Sequence, residues 1–117
     1  MSDLKTLREI CDELGVTRRA VQGYEAANLV SPVRKNKYGY LLYGKAEQNR
    51  IKEIKRYQQF GFQIKEIKNL IDAPDCVVRE ALERQVVKRN EEQKRLNATI
   101  EDMNALIAKL SESREGA

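Results

Sequence analysis

The sequence predicts a mainly α protein: a winged helix-turn-helix head with a small β wing, followed by a long coiled-coil helix. Three observations predict it. Two short amphipathic segments meet across a three-residue turn near the N-terminus, a hairpin-like stretch of basic and tyrosine residues follows, and the C-terminal third has neither glycine nor proline from Asp75 to Glu115. The expected organisation is a head over residues 1–74, a pairing helix over 75–112 and a flexible tail over 113–117.

Size sets the frame. A chain of 117 residues, 41% hydrophobic, holds one domain of modest core plus an extended element. Its charged fraction of 34% against 6% aromatic suits surface-rich helices better than a large β core. No apolar run approaches the ~20 residues of a membrane span, and the start, MSDLKTLREI, lacks the apolar stretch of a secretory signal. A cytoplasmic, nucleoid-associated location with no membrane partner is therefore expected. Cys11 and Cys76 lie far apart with no CxxC or Cys/His cluster, so neither a disulfide framework nor a metal site is expected, and no cofactor. With no histidine, no paired nucleophile and base and no glycine-rich phosphate loop, the chain does not read as an enzyme.

The first helix begins at Thr6-Leu7-Arg8-Glu9, which has the spacing of a capping box, and Leu7, Ile10, Cys11 and Leu14 follow at helical intervals. Gly15 stands where a helix end needs positive φ, and Thr17 is placed to cap a second helix starting Arg18-Arg19-Ala20-Val21. This is the sequence form of a helix-turn-helix, whose second helix enters the major groove of DNA. With Ala20 and Val21 facing the first helix, Arg18, Arg19 and Gln22 lie outward. Arginine pairs with guanine and glutamine with adenine, and both also hold phosphates. A plain helical hairpin with a solvated polar face is the alternative.

The stretch from Leu29 to Tyr43 reads as two short strands around a basic turn. Pro32 stops helix extension, Asn36 and Gly39 supply turn geometry, and Arg34, Lys35 and Lys37 interleave with Tyr38, Tyr40 and Tyr43. Cations beside tyrosine hydroxyls suit a phosphate backbone. Charge is placed accordingly: residues 1–74 carry 14 Lys and Arg against 9 Asp and Glu, whereas residues 75–117 carry 8 against 9.

Here the chain resembles the MerR family of bacterial transcription regulators, from about Leu7 to Asp72. Gly15-Val16-Thr17 with Tyr24-Glu25 is similar to the family's helix-turn-helix; Asn28 to Pro32 and Gly39 to Tyr43 resemble its wing; Tyr57 to Ile67 resembles its helix pair around a glycine-phenylalanine turn. The resemblance implies that Arg19, Tyr24, Arg34, Tyr40, Tyr43 and the segment around Gln63 and Lys65 face DNA. Three positions depart from the pattern. Gln22 and Gly23 stand where the family usually has arginine and tyrosine, and Leu41 where it has arginine. Each departure removes a backbone contact, which implies weaker binding, a different operator, or compensation by Arg18, Lys35 and Lys37.

A third helix is expected over Lys45 to Gln59, with Ile51, Ile54 and Tyr57 inward and Arg50, Lys52, Lys55 and Arg56 elsewhere, as solvated surface or beside a phosphate strand. A fourth runs from Gln63 to Ile71, with Ile64, Ile67, Leu70 and Ile71 inward, before Asp72-Ala73-Pro74 breaks it. From Asp75 onward a helix of about 35 residues would reach ~50 Å. Leu96, Ile100, Met103, Ile107 and Leu110 alternate by four and three, and Leu82 and Val86 extend the row, with Arg89 and Gln93 on the same seam. Two chains pairing along this stripe is the expectation, folding back on the head the alternative. The heptads leave orientation open, and the resemblance implies an antiparallel pair.

The function these features imply is binding of double-stranded DNA by a homodimer that regulates transcription at a palindromic site. By resemblance, it would act by distorting promoter DNA for RNA polymerase. A DNA architectural protein and a coiled-coil adaptor are the competing classes. Metal-sensing relatives use cysteines near the start of the dimer helix and after it; Cys76 occupies roughly the first place, but no Cys or His follows it.

Overall fold

The protein is described from a computed structural model, which covers residues 3–115, with side chains to residue 112. Five helices and three short strands follow in the order β1 (Lys5–Thr6), α1 (Leu7–Leu14), α2 (Arg18–Ala26), β2 (Arg34–Lys35), β3 (Leu41–Tyr43), α3 (Lys45–Gln59), α4 (Ile64–Leu70) and α5 (Asp75–Glu115). They divide into two compact units, one reaching Val78 and the other starting at Arg79.

Local chemistry sets each boundary of the first unit. Thr6 caps α1 reciprocally: its Oγ1 accepts from the Glu9 amide at 3.3 Å, and Glu9 Oε1 accepts from the Thr6 amide at 3.0 Å. Those bonds, the backbone one first, hold the Glu9 carboxyl below its ordinary pKa. Gly15 ends the helix with φ 66°, where a side chain would be strained. Thr17 Oγ1 then accepts from the Ala20 amide at 3.0 Å and starts α2. At the far end of α2 the Leu29 amide reaches back to the Tyr24 carbonyl at 3.0 Å while Asn28 takes φ 62°, a left-handed stop. Both α3 and α4 open with a glutamate, Glu47 or Glu66, that accepts from the backbone amide three residues earlier.

The strands form one antiparallel sheet in the order β1-β3-β2, with Lys5 opposite Tyr43, Thr6 opposite Leu42, Arg34 opposite Leu42 and Lys35 opposite Leu41. The outer strand β1 is absent from the sequence expectation. Two residues carry no alternation to read; the strand exists because β3 offers it a partner edge.

The core gathers Ile10 of α1, Val21 of α2, Tyr43 of β3, Ile51 and Ile54 of α3 and Ile67 of α4, all at 0% exposure. Burying such side chains stabilises by about 1.5–3 kcal/mol each. A surface ion pair such as Lys5–Glu13 contributes at most about 1 kcal/mol, so packing, not surface charge, holds the unit together. Gln48 is the one polar side chain in this core among the described residues; its Nε2 donates to the carbonyls of Tyr43 (2.9 Å) and Asp3 (2.7 Å), pinning the N-terminal segment to β3.

The α5 helix is 41 residues long, about 60 Å at the usual rise. It is helical to Glu115, beyond the tail boundary expected at residue 113, and Gly116 and Ala117 lie outside the described residues. Pairs at i,i+4 and i,i+3 line its surface, among them Arg79–Glu83 and Arg89–Glu92, each at 3.0 Å. Among the described residues no helix is long and apolar enough to cross a membrane.

Candidate nucleic-acid interface

Because Val21 and Tyr24 are buried, the opposite face of α2 turns to solvent with Arg18, Arg19 and Gln22 exposed on it. The expected groove-reading trio therefore shares one outward surface. The wing presents a second polar surface: Arg34, Lys35, Lys37, Tyr38 and Tyr40 are all exposed. Its tip is shaped by Asn36, whose Oδ1 accepts from the amides of Tyr38 (2.9 Å) and Tyr40 (3.0 Å) while its own amide donates to the Tyr40 carbonyl. Lys37 Nζ stands 5.1 Å from the centre of the Tyr38 ring, a cation–π distance.

Between α2 and the wing lies a cleft of about 550 Å³ lined by Thr6, Leu7, Arg8, Arg18, Gln22, Gly39, Tyr40 and Leu41. None of these lining residues is acidic. Gln63, the N-cap of α4, and Lys65 in its first turn are also exposed.

At two of the expected contact positions, Tyr24 and Tyr43, the side chain is buried. Tyr24 is only 2% exposed and its hydroxyl donates to Gln58 Oε1 at 2.6 Å, joining α2 to α3. Tyr43 is fully buried and its hydroxyl donates to Glu25 Oε1, joining β3 to α2. Burial raises both phenol pKa values, with the bond to Glu25 adding to the rise at Tyr43. Tyr24 thus ties α2 to α3, and Tyr43 ties β3 to α2.

The basic residues of α3 divide in a way that composition does not show. Arg50 makes a two-pronged bond to Asp72 at 2.7 and 2.8 Å and reaches the Leu29 carbonyl at 3.0 Å. Lys55 donates to the carbonyls of Leu14 (2.7 Å) and Gly15 (3.1 Å), closing the end of α1. Arg56 lies 5.6 Å from the Phe60 ring centre. Arg50 and Lys55 are fasteners of the head.

Residues 5–74, the span of this head, match the family described as MerR HTH family regulatory protein. The chain belongs to the MerR family. A second match, to the family described as MerR, DNA binding, covers residues 48–113 and so runs from α3 through most of α5. Among individual relatives, the chain is 26% identical to the HTH-type transcriptional activator mta of Bacillus subtilis over 86% of its own length and 39% of that protein's. It is also 26% identical to the mercuric resistance operon regulatory protein of Bacillus cereus, over 92% of this chain and 80% of the other. The crystal structure of a MerR-family transcriptional regulator from Bacillus cereus superposes with a TM-score of 0.80 at 26% identity, covering 91% of this chain and 81% of that one. The chain thus spans well under half of the activator mta but most of the other two proteins.

In this MerR-family chain the second unit carries its own candidate surface. Val86, Leu96, Ile100, Met103, Ile107 and Leu110 are 42–60% exposed, and Leu82 is half-buried. A single chain therefore leaves the apolar row open to solvent from Val86 to Leu110. Val87 and Leu106, at 61% and 56% exposure, flank the row and were absent from the sequence expectation because neither sits on the four-three spacing. Cys76 is exposed in the first turn of α5, Cys11 is half-buried in α1 with its thiol pKa raised by burial, and among the described residues no three His, Cys, Asp or Glu groups converge as metal ligands would.

Proposed function

We propose that this MerR-family regulator binds double-stranded DNA as a homodimer and controls transcription at a palindromic promoter site by distorting the duplex for RNA polymerase. The observation that carries the reading is the exposed Arg18, Arg19 and Gln22 on α2 beside a cationic wing, across a cleft with no acidic lining. Arginine and glutamine at successive outward positions of a helix suit base edges in the major groove. Lys35, Lys37 and Arg34 on the wing suit phosphates, which position the head without reading sequence.

The dimer is supported by the apolar row of α5. A row of leucine, isoleucine, valine and methionine at heptad spacing gains most from a second copy of the same helix. Arg89 and Gln93 on the row set register at some cost in stability. Two heads held by one such pair read half-sites ~34–36 Å apart, or a multiple of it. Bending such a site costs of order 1–6 kcal/mol, which phosphate contacts from two wings offset.

The experiment is selection of genomic duplex fragments by the purified chain, followed by footprinting on the recovered site. Recovery of one palindrome with a hypersensitive centre supports the reading. Equal binding to random duplex points to an architectural protein, and absence of salt-dependent binding to an adaptor. Arg19→Ala should sharply weaken binding with the fold intact, and Ile100→Lys with Ile107→Lys should give monomers by ultracentrifugation.

A further inference from the structure

The first turn of α1 brings one arginine to the cleft that the recognition helix and the wing share. Arg8 is exposed, lies next to the capped helix start at Thr6 and Leu7, and lines the same cleft as Arg18. The Thr6 and Glu9 amides at the start of α1 are engaged by the cap, and Arg8 brings a side-chain charge to the same place. Among the described residues, the ion pairs of the head occupy Lys5 with Glu13 and Arg50 with Asp72, and leave Arg8 and Arg18 aside.

The other walls are neutral. Gln22 and Tyr40 bring an amide and a phenol, Leu41 and Leu7 bring apolar surface, and Gly39 brings bare backbone. Two arginines and neutral hydrogen-bond donors, with no carboxylate among the lining residues, are a composition that suits a tetrahedral oxyanion. Guanidinium binds phosphate oxygens in pairs, which a lone ammonium does not. The cleft is continuous with the outward face of α2 on one side and the wing on the other, so the anion it meets when the head docks is a phosphate of the duplex backbone.

We propose that this cleft seats one backbone phosphate of double-stranded DNA between Arg8 and Arg18, making α1 a third contributor to the interface after α2 and the wing. The proposal rests on the DNA-binding reading above and adds a residue to it. Arg8 serves affinity and register, not base choice, since a phosphate carries no sequence. Positions 22 and 41, which carry no charge in this chain, border the same cleft, so among the described residues Arg8 and Arg18 are the cations that line it.

The test is binding of a random-sequence duplex of about 30 base pairs across a sodium chloride series, read by fluorescence anisotropy, for the wild type and for Arg8→Ala, Arg8→Lys and Arg19→Ala. One lost phosphate contact lowers the slope of log affinity against log salt by about 0.9 per protomer. Arg8→Ala is expected to show that loss and weaker binding at low salt, with an unchanged melting temperature, and Arg8→Lys is expected to restore most of the slope. A wild-type slope in Arg8→Ala, with binding lost in Arg19→Ala, overturns the cleft site while leaving the DNA reading standing. A slope loss in Arg8→Lys as large as in Arg8→Ala overturns it too, because either cation at a phosphate displaces counterions. Absence of duplex binding by the wild type removes both.

Discussion

The Tyr43 hydroxyl donates to the Glu25 carboxylate, so the last residue of β3 is tied to α2. A hydrogen bond to a charged acceptor contributes roughly 1.5–3 kcal/mol when shielded from water. Tyr43→Phe keeps the ring and removes only the donor, and should lower stability by about that amount in urea denaturation. An unchanged unfolding midpoint would show that the bond contributes nothing.

Gly15→Ala should destabilise the head by about 1–2 kcal/mol, because a left-handed backbone forces a Cβ against its own carbonyl. The new methyl would also stand 3.1 Å from Lys55 Nζ, the group that closes the end of α1. Thermal unfolding of the variant against wild type checks this, and equal melting temperatures would contradict it.

Gly23→Ala should do the reverse. Gly23 is inside α2 with no atom within 4 Å of where a Cβ would sit, and it does not take positive φ. Alanine is favoured there by about 1 kcal/mol on helix propensity alone. A variant less stable than wild type would mean that α2 is strained at this position in some way that its open surroundings do not show.

Asp72→Asn should reveal an acid-dependent contribution. The hydrogen bond from Arg50, and then its charge, hold the Asp72 carboxyl below its ordinary value of 3.8. A carboxyl depressed by folding stabilises above its unfolded pKa and loses that stabilisation as pH falls through the folded one. The melting-temperature gap between wild type and variant should therefore be constant above about pH 5 and close below about pH 4. A gap that persists unchanged into strong acid would rule out the ion pair as its source.

Helix ends were legible in the sequence because their chemistry is local. Thr6 with Glu9, Thr17 and Gly15 act within four residues of themselves, and α3 runs from Lys45 to Gln59 as its pattern indicates. Burial of the tyrosines was not legible. Tyr40-Leu41-Leu42-Tyr43 has no polar-apolar alternation to say which side faces inward, so Tyr43 in the core and Tyr40 on the surface look alike until α1 and α3 pack against β3. The same holds for cations: Arg50 and Lys55 find carbonyls 21 and 40 or more residues away, whereas Arg8, placed on the polar side of α1, borders a cleft that only the fold assembles. At Gln63 and Lys65 the sequence expectation and the exposed start of α4 agree on position, while their role stays with the proposed interface.

The Asn36 side chain satisfies the amides of the wing turn before anything docks there. A loop that must freeze on contact gives up conformational freedom at the moment of association, and that loss is subtracted from affinity. This hairpin has already surrendered it during folding. A partner that docks on the wing therefore has less of this turn left to order, and the exposed side chains of Tyr38 and Tyr40 are what it would still have to fix.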